Sequence, residues 1–421
     1  MRGTDAPLSD MQTGLHPGEA QTRATPGASG RQATIAKEGA RGRLLVTGFR
    51  PGAGGIGRDM VNTINGCAQA GADVHVLLET DDNPDSAFLD PAVRIHVVEM
   101  GEGRAAVGRM RDFIAQLAPQ AVLSNRDRAN GLVVQAASGL TPRPRVVVRV
   151  GINIPAKLRR RNPLSRMLRR RSLTATYCGA DLLVGVSEGV CDGLRKLLGD
   201  KAPPIRRVYS PMDLAGIKSL AAQDPIHPWF RERSFPLLVS VGRLVRMKDQ
   251  GTMLRAFTRL PRDFRLVIFG EGKQRPKLLA LARRLGVEDR VDLPGHSENP
   301  FAHVARADLF VLSSRFEGFC NALLEAFVVG TPAVSTDCPS GPREILDNGR
   351  YGPLVPIGRP AELASAILGA ISNPPSRALL EEAVARMDME HSITYYLDAL
   401  GLLGTTAGSG RPEPGAANNG S

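Results

Sequence analysis

Residues 308–337, DLFVLSSRFEGFCNALLEAFVVGTPAVSTD, read as a strand, a loop, a helix and a further strand. Short apolar runs close both ends, and the middle repeats apolar residues at helical spacing. Inside this unit, EGFCNALLE sets Glu317 and Glu325 apart by seven mostly small or apolar residues. Glu317 stands at the loop–helix junction, and Gly318 allows close backbone approach to a ligand. The N–H groups of Phe319, Cys320, Asn321 and Ala322 would be the unpaired donors of the helix start. Eight residues at 1.5 Å each offset the two acids by about 12 Å, roughly a sugar plus a diphosphate or ribose. Acids so placed can accept hydroxyl hydrogen bonds at both ends of one ligand, with its phosphates between them. The plainer reading is a helix N-terminal charge and a surface acid, but apolar residues flank Glu325 and argue against full solvation.

The same alternation extends outward. FPLLVSVG (235–242), FRLVIFG (264–270) and RVDLPG (290–295) precede the quoted unit. An earlier series comprises RLLVTGF, DVHVLLE, VRIHVVEM, AVLSN, RVVVRVG and DLLVGVS, between residues 43 and 187. Strands and helices alternating on this scale imply parallel sheets covered on both faces. The polar, Pro-containing stretch 213–234 breaks the pattern. The expected fold class is α/β, with two doubly wound domains of similar size facing a central cleft. The boundaries are a disordered segment 1–40, an N-terminal domain 41–211, a linker 212–233 and a second domain 234–375. C-terminal helices that pack back (376–403) and a disordered tail (404–421) complete the chain. Both ends are rich in Gly, Pro, Ala and Thr and lack a hydrophobic period.

The 421 residues carry 42% hydrophobic and 23% charged side chains, ordinary for a globular chain. No run approaches the ~20 apolar residues of a membrane span, and no signal-peptide core opens the chain. Cys67, Cys178, Cys191, Cys320 and Cys338 are scattered singly, which reads as reduced cytoplasmic thiols. The net charge of +12 points to an anionic partner: a phosphorylated substrate, a membrane surface or nucleic acid.

Gly52, Gly54 and Gly57 form a G-x-G-x-x-G spacing between a strand and a helix, with Glu79 about twenty residues on. That context fits an NAD-binding oxidoreductase. Its physical content is broader, because a helix N-terminus behind glycines suits any phosphate. Pro51 and the run GAGG suggest a longer loop than the tight dinucleotide turn. In LVSVGRLVRMKD, Gly242 and Arg243 end a strand and Lys248 precedes a helix. Cations at this sheet edge face the ligand crevice of open α/β folds. Arg can hold a diphosphate through two parallel bonds, and Lys adds a point charge. Both side chains are expected to be exposed in the cleft.

These motifs together resemble retaining glycosyltransferases of the GT-B fold, family four (glycosyl transferases group 1), over roughly residues 43–400. The combination of VGRL…KD with EGFCNALLE carries the resemblance. It implies Rossmann-like domains, acceptor-side first and nucleotide-sugar-binding second. Arg243 and Lys248 would bind the donor diphosphate, and Glu317 with the amides of Gly318 to Asn321 would face the donor sugar. Glu325 would bond the ribose hydroxyls, and the base would lie near Gly270 to Gly272. Gly55 and Gly57 would approach the phosphates or acceptor. Arg243, Lys248 and Glu317 are the candidate catalytic residues. The donor-binding set is Gly55, Gly57, Gly242, Arg243, Lys248, Gly270, Gly318, Phe319, Cys320, Asn321, Ala322 and Glu325. Many relatives carry a His on the fourth N-domain strand. Here VVVRVGINIP offers Arg149 and Asn153 instead, as the acceptor-side candidates. His75 and His96 read as structural and His296 as a loop residue.

Residues 156–172, AKLRRRNPLSRMLRRRS, hold eight Lys or Arg around Leu158, Leu164, Met167 and Leu168. Such a stretch is either a solvated helix face or a contact to an anionic membrane through residues 157–171. No aromatic side chains interleave, so nucleic acid is not expected. The expected function is transfer of a hexose-type sugar from a nucleotide-sugar co-substrate to a glycan or lipid-linked acceptor, in cell-surface polysaccharide or glycolipid biosynthesis. No Asp-x-Asp pair calls for an essential metal, and no cofactor is expected. The expected location is cytoplasmic, peripheral at the inner face of the membrane. Alternatives are a nucleotide-sugar epimerase, a glycan phosphorylase and an NAD-dependent oxidoreductase.

Overall fold

The computed structural model describes residues 42–49, 55–80, 87–159, 162–231 and 233–403, and for residues 55 and 56 the backbone alone. The ends expected to be disordered (1–40 and 404–421) lie outside the described residues, as do Gly52, Gly54, Arg160 and Arg161.

The N-terminal lobe begins with β1 (Arg43–Thr47), α1 (Gly55–Gln69), β2 (Asp73–Leu78), β3 (Arg94–Val97) and α2 (Gly103–Leu117). It continues through β4 (Ala121–Asn125), α3 (Asp127–Ala137), β5 (Arg145–Val150), α4 (Ile154–Leu158) and α5 (Pro163–Cys178). Then come β6 (Leu182–Gly185), α6 (Glu188–Leu198), β7 (Ile205–Arg207) and the connecting helix α7 (Leu214–Ala221). The C-terminal lobe holds β8 (Leu237–Val241), α8 (Gln250–Phe257), β9 (Arg265–Phe269), α9 (Arg275–Arg284), β10 (Val291–Gly295) and α10 (Pro300–Val304). It goes on with β11 (Leu309–Leu312), α11 (Asn321–Val328), β12 (Ala333–Thr336), α12 (Pro342–Ile345) and β13 (Leu354–Val355). Helices α13 (Pro360–Ser372), α14 (Arg377–Ala385) and α15 (Ser392–Leu400) close the described chain.

Both sheets are parallel, ordered β3-β2-β1-β4-β5-β6-β7 and β10-β9-β8-β11-β12-β13. The central strands β4 and β11 are buried along their whole length, as helices on both faces require. The order reverses between β1 and β4 and between β8 and β11. The carboxyl ends of those strands flank the crevice of each sheet.

Local chemistry fixes the helix starts near that crevice. Asn153 caps α4, Asn162 caps α5 with Pro163 behind it, and Ser187 caps α6. Asp127 opens α3 and gathers Lys157 Nζ at 3.3 Å, Arg169 Nη2 at 2.5 Å and the Tyr177 hydroxyl. Burial works against its charge, but the two cations outweigh burial and hold the carboxyl below its usual range.

Of residues 376–403, α14 stays with the C-terminal lobe, where the Tyr351 hydroxyl donates to its Glu382. Only α15 reaches the first sheet, burying Ile393, Tyr396, Leu397 and Leu400 against Leu44, Val46 and Ile64. The second core cluster runs without a break from Val148 and Ile154 to Phe319 and Leu323, joining the lobes through packed side chains.

Candidate functional site

Two loops leave the strands that flank the crevice of the C-terminal sheet. The loop after β8 carries Arg243 and Lys248, and the loop after β11 carries Glu317. Lys248 Nζ donates to Glu317 Oε1 at 2.8 Å, and Ser314 Oγ donates to the same oxygen. The side chains are 16% and 7% exposed, so Lys248 is not the open cleft cation expected above. Burial disfavours its charge, but Glu317 more than offsets this and holds the ammonium above the ordinary lysine range. Arg243 is exposed, as expected. Its backbone carbonyl accepts from Gln250 Nε2 at 3.1 Å, which fixes the loop. The lysine stem folds back along Gly242, whose added Cβ would lie 3.4 Å from Lys248 Cε. A Cβ on Gly270 would sit 2.2 Å from the Gly242 carbonyl oxygen, so glycine there lets the ends of β8 and β9 lie side by side.

The helix between the two acids starts later than the spacing suggested. Glu317 to Cys320 are loop, and α11 begins at Asn321 after Cys320 turns through a left-handed φ of 77°. The 12 Å offset along one helix axis therefore does not apply. Phe319 is buried against Tyr209, with ring centroids 5.1 Å apart, and Cys320 is buried with its thiol pushed up to about 12 by desolvation. Ala322 is half-buried on the first turn of α11. Gly318 has a second correction. A Cβ there would lie 2.1 Å from the carbonyl oxygen of Gly151, so the close approach it permits is to the backbone of the other lobe. Ser187 Oγ donates to the Gly318 carbonyl at 2.8 Å, and the Asn153 N–H donates to the Glu317 carbonyl at 3.3 Å.

The N-terminal lobe supplies groups that the sequence did not single out. Gly55 opens α1, Gly57 is buried in its first turn, and Arg58 and Asp59 follow. Arg58 Nη1 donates to Glu325 Oε1 at 3.2 Å, and the guanidinium carbon Cζ lies 5.1 Å from the centroid of the Phe301 ring. The Glu325 side chain is 12% exposed. Desolvation raises its carboxyl, and Arg58 works in the opposite direction. Asp59 accepts from Asn321 Nδ2, Ser210 Oγ and Arg149 Nη2. Glu344 also links the lobes, accepting from the Tyr209 hydroxyl at 2.6 Å and the Glu188 N–H at 2.9 Å.

Neither acceptor-side candidate lies open. Asn153 accepts from the Ala156 N–H, and its Nδ2 donates to the Gly189 carbonyl and Ser340 Oγ, so its polar atoms are used in capping α4 and joining the lobes. Arg149 is buried at the end of β5, with Tyr396, Ser210 and Asp59 around it. His75 and His96 stack within the first sheet, and His296 is exposed after β10. Glu79, the acid of the dinucleotide reading, is ion-paired with Arg128. All five cysteines are free thiols. No described helix is long and apolar enough to cross a membrane.

Comparison with known proteins supplies the family. Residues 54–211 match the family described as glycosyl transferase 4-like domain, and residues 228–387 match glycosyl transferases group 1. A 203-residue stretch is 31% identical to a Campylobacter jejuni N-acetylgalactosaminyltransferase, named for a diacetylbacillosaminyl-diphospho-undecaprenol substrate. That match covers 48% of this chain and 54% of the relative, so the chain spans about half the length of the protein it matches. Among solved structures, sucrose-phosphate synthase from Thermosynechococcus elongatus superposes with a TM-score of 0.72 at 18% identity, covering 86% of this chain and 98% of the other. Anabaena HepE in complex with UDP and glucose gives 0.72 at 18% identity, covering 86% and 100%. These likenesses show the two-lobed architecture.

Proposed function

Because this chain belongs to the group 1 glycosyltransferases and has the GT-B fold, we propose that it moves a hexose-type sugar from a nucleotide-sugar donor to a glycan or lipid-linked acceptor, with retention at the sugar carbon. The observation that carries this reading is the buried Lys248–Glu317 pair beside an exposed Arg243, all on the two loops at the crevice of one sheet. In this reading Lys248 and Arg243 offset the charge that builds on the leaving diphosphate, the main electrostatic demand of the transition state. That charge is assigned to the two side chains, not to a metal ion. Glu317 and the amides at the start of α11 hold the sugar, and Glu325 takes the ribose. The leaving phosphate accepts the acceptor's proton, so no separate protein base is needed. The HepE complex with UDP and glucose and the undecaprenol-linked name of the Campylobacter relative support the donor and acceptor classes.

A thermal-shift panel tests the donor class. At least one of UDP, GDP, ADP, CDP and dTDP should raise the midpoint, by as much as ~2.7 kcal/mol of stabilisation at a hundredfold excess over Kd, while NAD should not. Stabilisation by NAD alone would remove the glycosyltransferase reading.

The acceptor side is proposed to meet an anionic membrane through α5. Leu164, Met167 and Leu168 are each at least half exposed, and Arg159, Arg166, Arg170 and Arg171 are exposed around them. Lys157 and Arg169 are already engaged by Asp127. The informative variant therefore changes Arg159, Arg166, Arg170 and Arg171 to Gln and spares the other two. At about 1 kcal/mol per cation, its partition onto phosphatidylglycerol vesicles should fall on the order of 10³-fold. Parental binding should fade with salt. Equal co-sedimentation of variant and parent would leave α5 as a solvated face.

A further inference from the structure

The two sheets end in β3, β7, β10 and β13, and all of these edges but β3 are ill suited to pair further. β7 has three residues, IRR, and its Arg206 is ion-paired with Asp398 of α15. β10 contains Pro294, which has no N–H to give, and shifts register between Asp292 and Gly295. β13 has two residues. Devices of this kind keep sheet edges from joining other chains. β3 has a regular register and no proline. Its Ile95 and Val97 are 43% and 48% exposed, and Phe88, in the turn ahead of the strand, is 70% exposed.

The open side of β3 offers main chain as well as side chains. The Val98 N–H donates to the Leu78 carbonyl at 2.9 Å, and alternation along the ladder turns the N–H and C=O of His96 towards β2 as well. Those of Ile95 and Val97 therefore point outward, where no described strand receives them. The side chains of Ile95 and Val97 share the face of their register partners Val76 and Leu78, which belong to the core under α1 and α15. His96 lies on the opposite face, its Nε2 2.8 Å from His75 Nδ1 and its ring edge-on to Phe113 of α2. Charge is also ordered along the segment. Arg94, with a side chain 63% exposed, begins the strand. The exposed Glu99 stands just past its end, with no ion pair among the described residues.

We infer that β3 is a self-association surface, covered by the β3 of a second copy of this chain running antiparallel about a two-fold axis at His96. In that register Ile95 opposes the second copy's Val97 and exchanges both main-chain hydrogen bonds with it, and the symmetric pair does the same. The two apolar pairs lie on one face and cover each other. At both ends Arg94 comes beside the second copy's Glu99, so the charges are complementary. An axis at Val97 would instead set Ile95 against Glu99. An axis at Ile95 would set Glu99 against Pro91, away from Arg94. The segment is thus complementary to itself in one register, which favours a second copy over an unrelated strand.

Sedimentation equilibrium on the full chain tests this, with light scattering after size exclusion as the second readout. The parent should form a concentration-dependent dimer. Ile95→Lys/Val97→Lys should stay monomeric over the same range and keep the parental circular dichroism spectrum. Arg94→Glu should weaken association about tenfold or more, and Arg94→Glu/Glu99→Arg should restore it, because the charges are only exchanged. That rescue distinguishes a lost contact from a lost fold. His96→Cys should give a disulfide-linked dimer with diamide, since opposed residues without mutual main-chain bonds have Cα atoms about 4.5 Å apart, within bridging range. The parent under diamide should not. A parent that is monomeric at every concentration overturns the inference, and so does a dimer that survives the lysine pair. A chain that dimerises only once residues 1–41 are removed overturns it too, because its own N-terminal segment is then the occupant of the edge. Failure of the charge exchange to restore association, or cross-linking through Val97→Cys and not His96→Cys, removes the register and the inference with it.

Discussion

Lys248→Ala should melt well below the parent and turn over on the order of 10²–10³-fold more slowly, whereas Arg243→Ala should lose similar turnover and melt like the parent. The contrast follows from burial. Lys248 meets Glu317 at 2.8 Å with both side chains largely out of water, while Arg243 is exposed. Removing one member of a buried pair leaves the other uncompensated, at a cost of roughly 3–5 kcal/mol. The double variant Lys248→Ala/Glu317→Gln should recover much of that stability and none of the activity. Because folding raises the lysine's pKa, its contribution is complete below the unfolded value of about 10.4 and is lost only as pH rises beyond it. The stability gap between parent and Lys248→Ala should thus stay flat from neutral pH to about 9 and change only as pH rises through the lysine range, wherever both proteins remain folded. Chemical denaturation read beside steady-state rates checks both halves. An active Lys248→Ala as stable as Arg243→Ala would contradict the assignment of this pair to the leaving group.

Glu325→Gln should weaken a nucleoside diphosphate and its sugar conjugate alike, by roughly 1–3 kcal/mol, because both ligands carry the ribose. Glu317→Gln should spare the diphosphate and weaken only the complete sugar nucleotide. Here the structure adds a qualification to stability. Glu317 is the counter-ion of Lys248, so its amide variant should melt lower, whereas the partner of Glu325 is the half-exposed Arg58. Calorimetry on both variants with both ligands decides the matter, and equal losses throughout would abolish the division between the two acids.

What the sequence revealed and what it hid have separate physical causes. The buried central strands were legible because burial on both faces leaves unbroken runs such as LLV at 44–46 and LVI at 266–268. Strands β7 and β13 were missed, since they have three and two residues and carry no period. Arg243, Lys248 and Glu317 could be found because strand-end motifs fix them locally. Arg58 could not, because its partner is 267 positions away. Gly318 was marked for the right property, close approach, but only the three-dimensional arrangement puts Gly151 opposite it. Asn153 looked like a free polar group because capping and lobe contacts leave no trace in spacing.

On the proposed assignment of the ribose to Glu325, the Arg58–Glu325 contact also bears on how readily the spent nucleotide departs. If Glu325 receives the ribose with both oxygens, Arg58 must let go first, and it can return when the ribose leaves. Such an internal rival weakens every ribose-bearing ligand by one common factor, the fraction of molecules in which the carboxylate is released. The discharged diphosphate keeps most of the donor's contacts, so a site without this rival would be prone to product inhibition. On the donor reading proposed above, Arg58 would raise the working donor concentration and shorten the dwell time of the product.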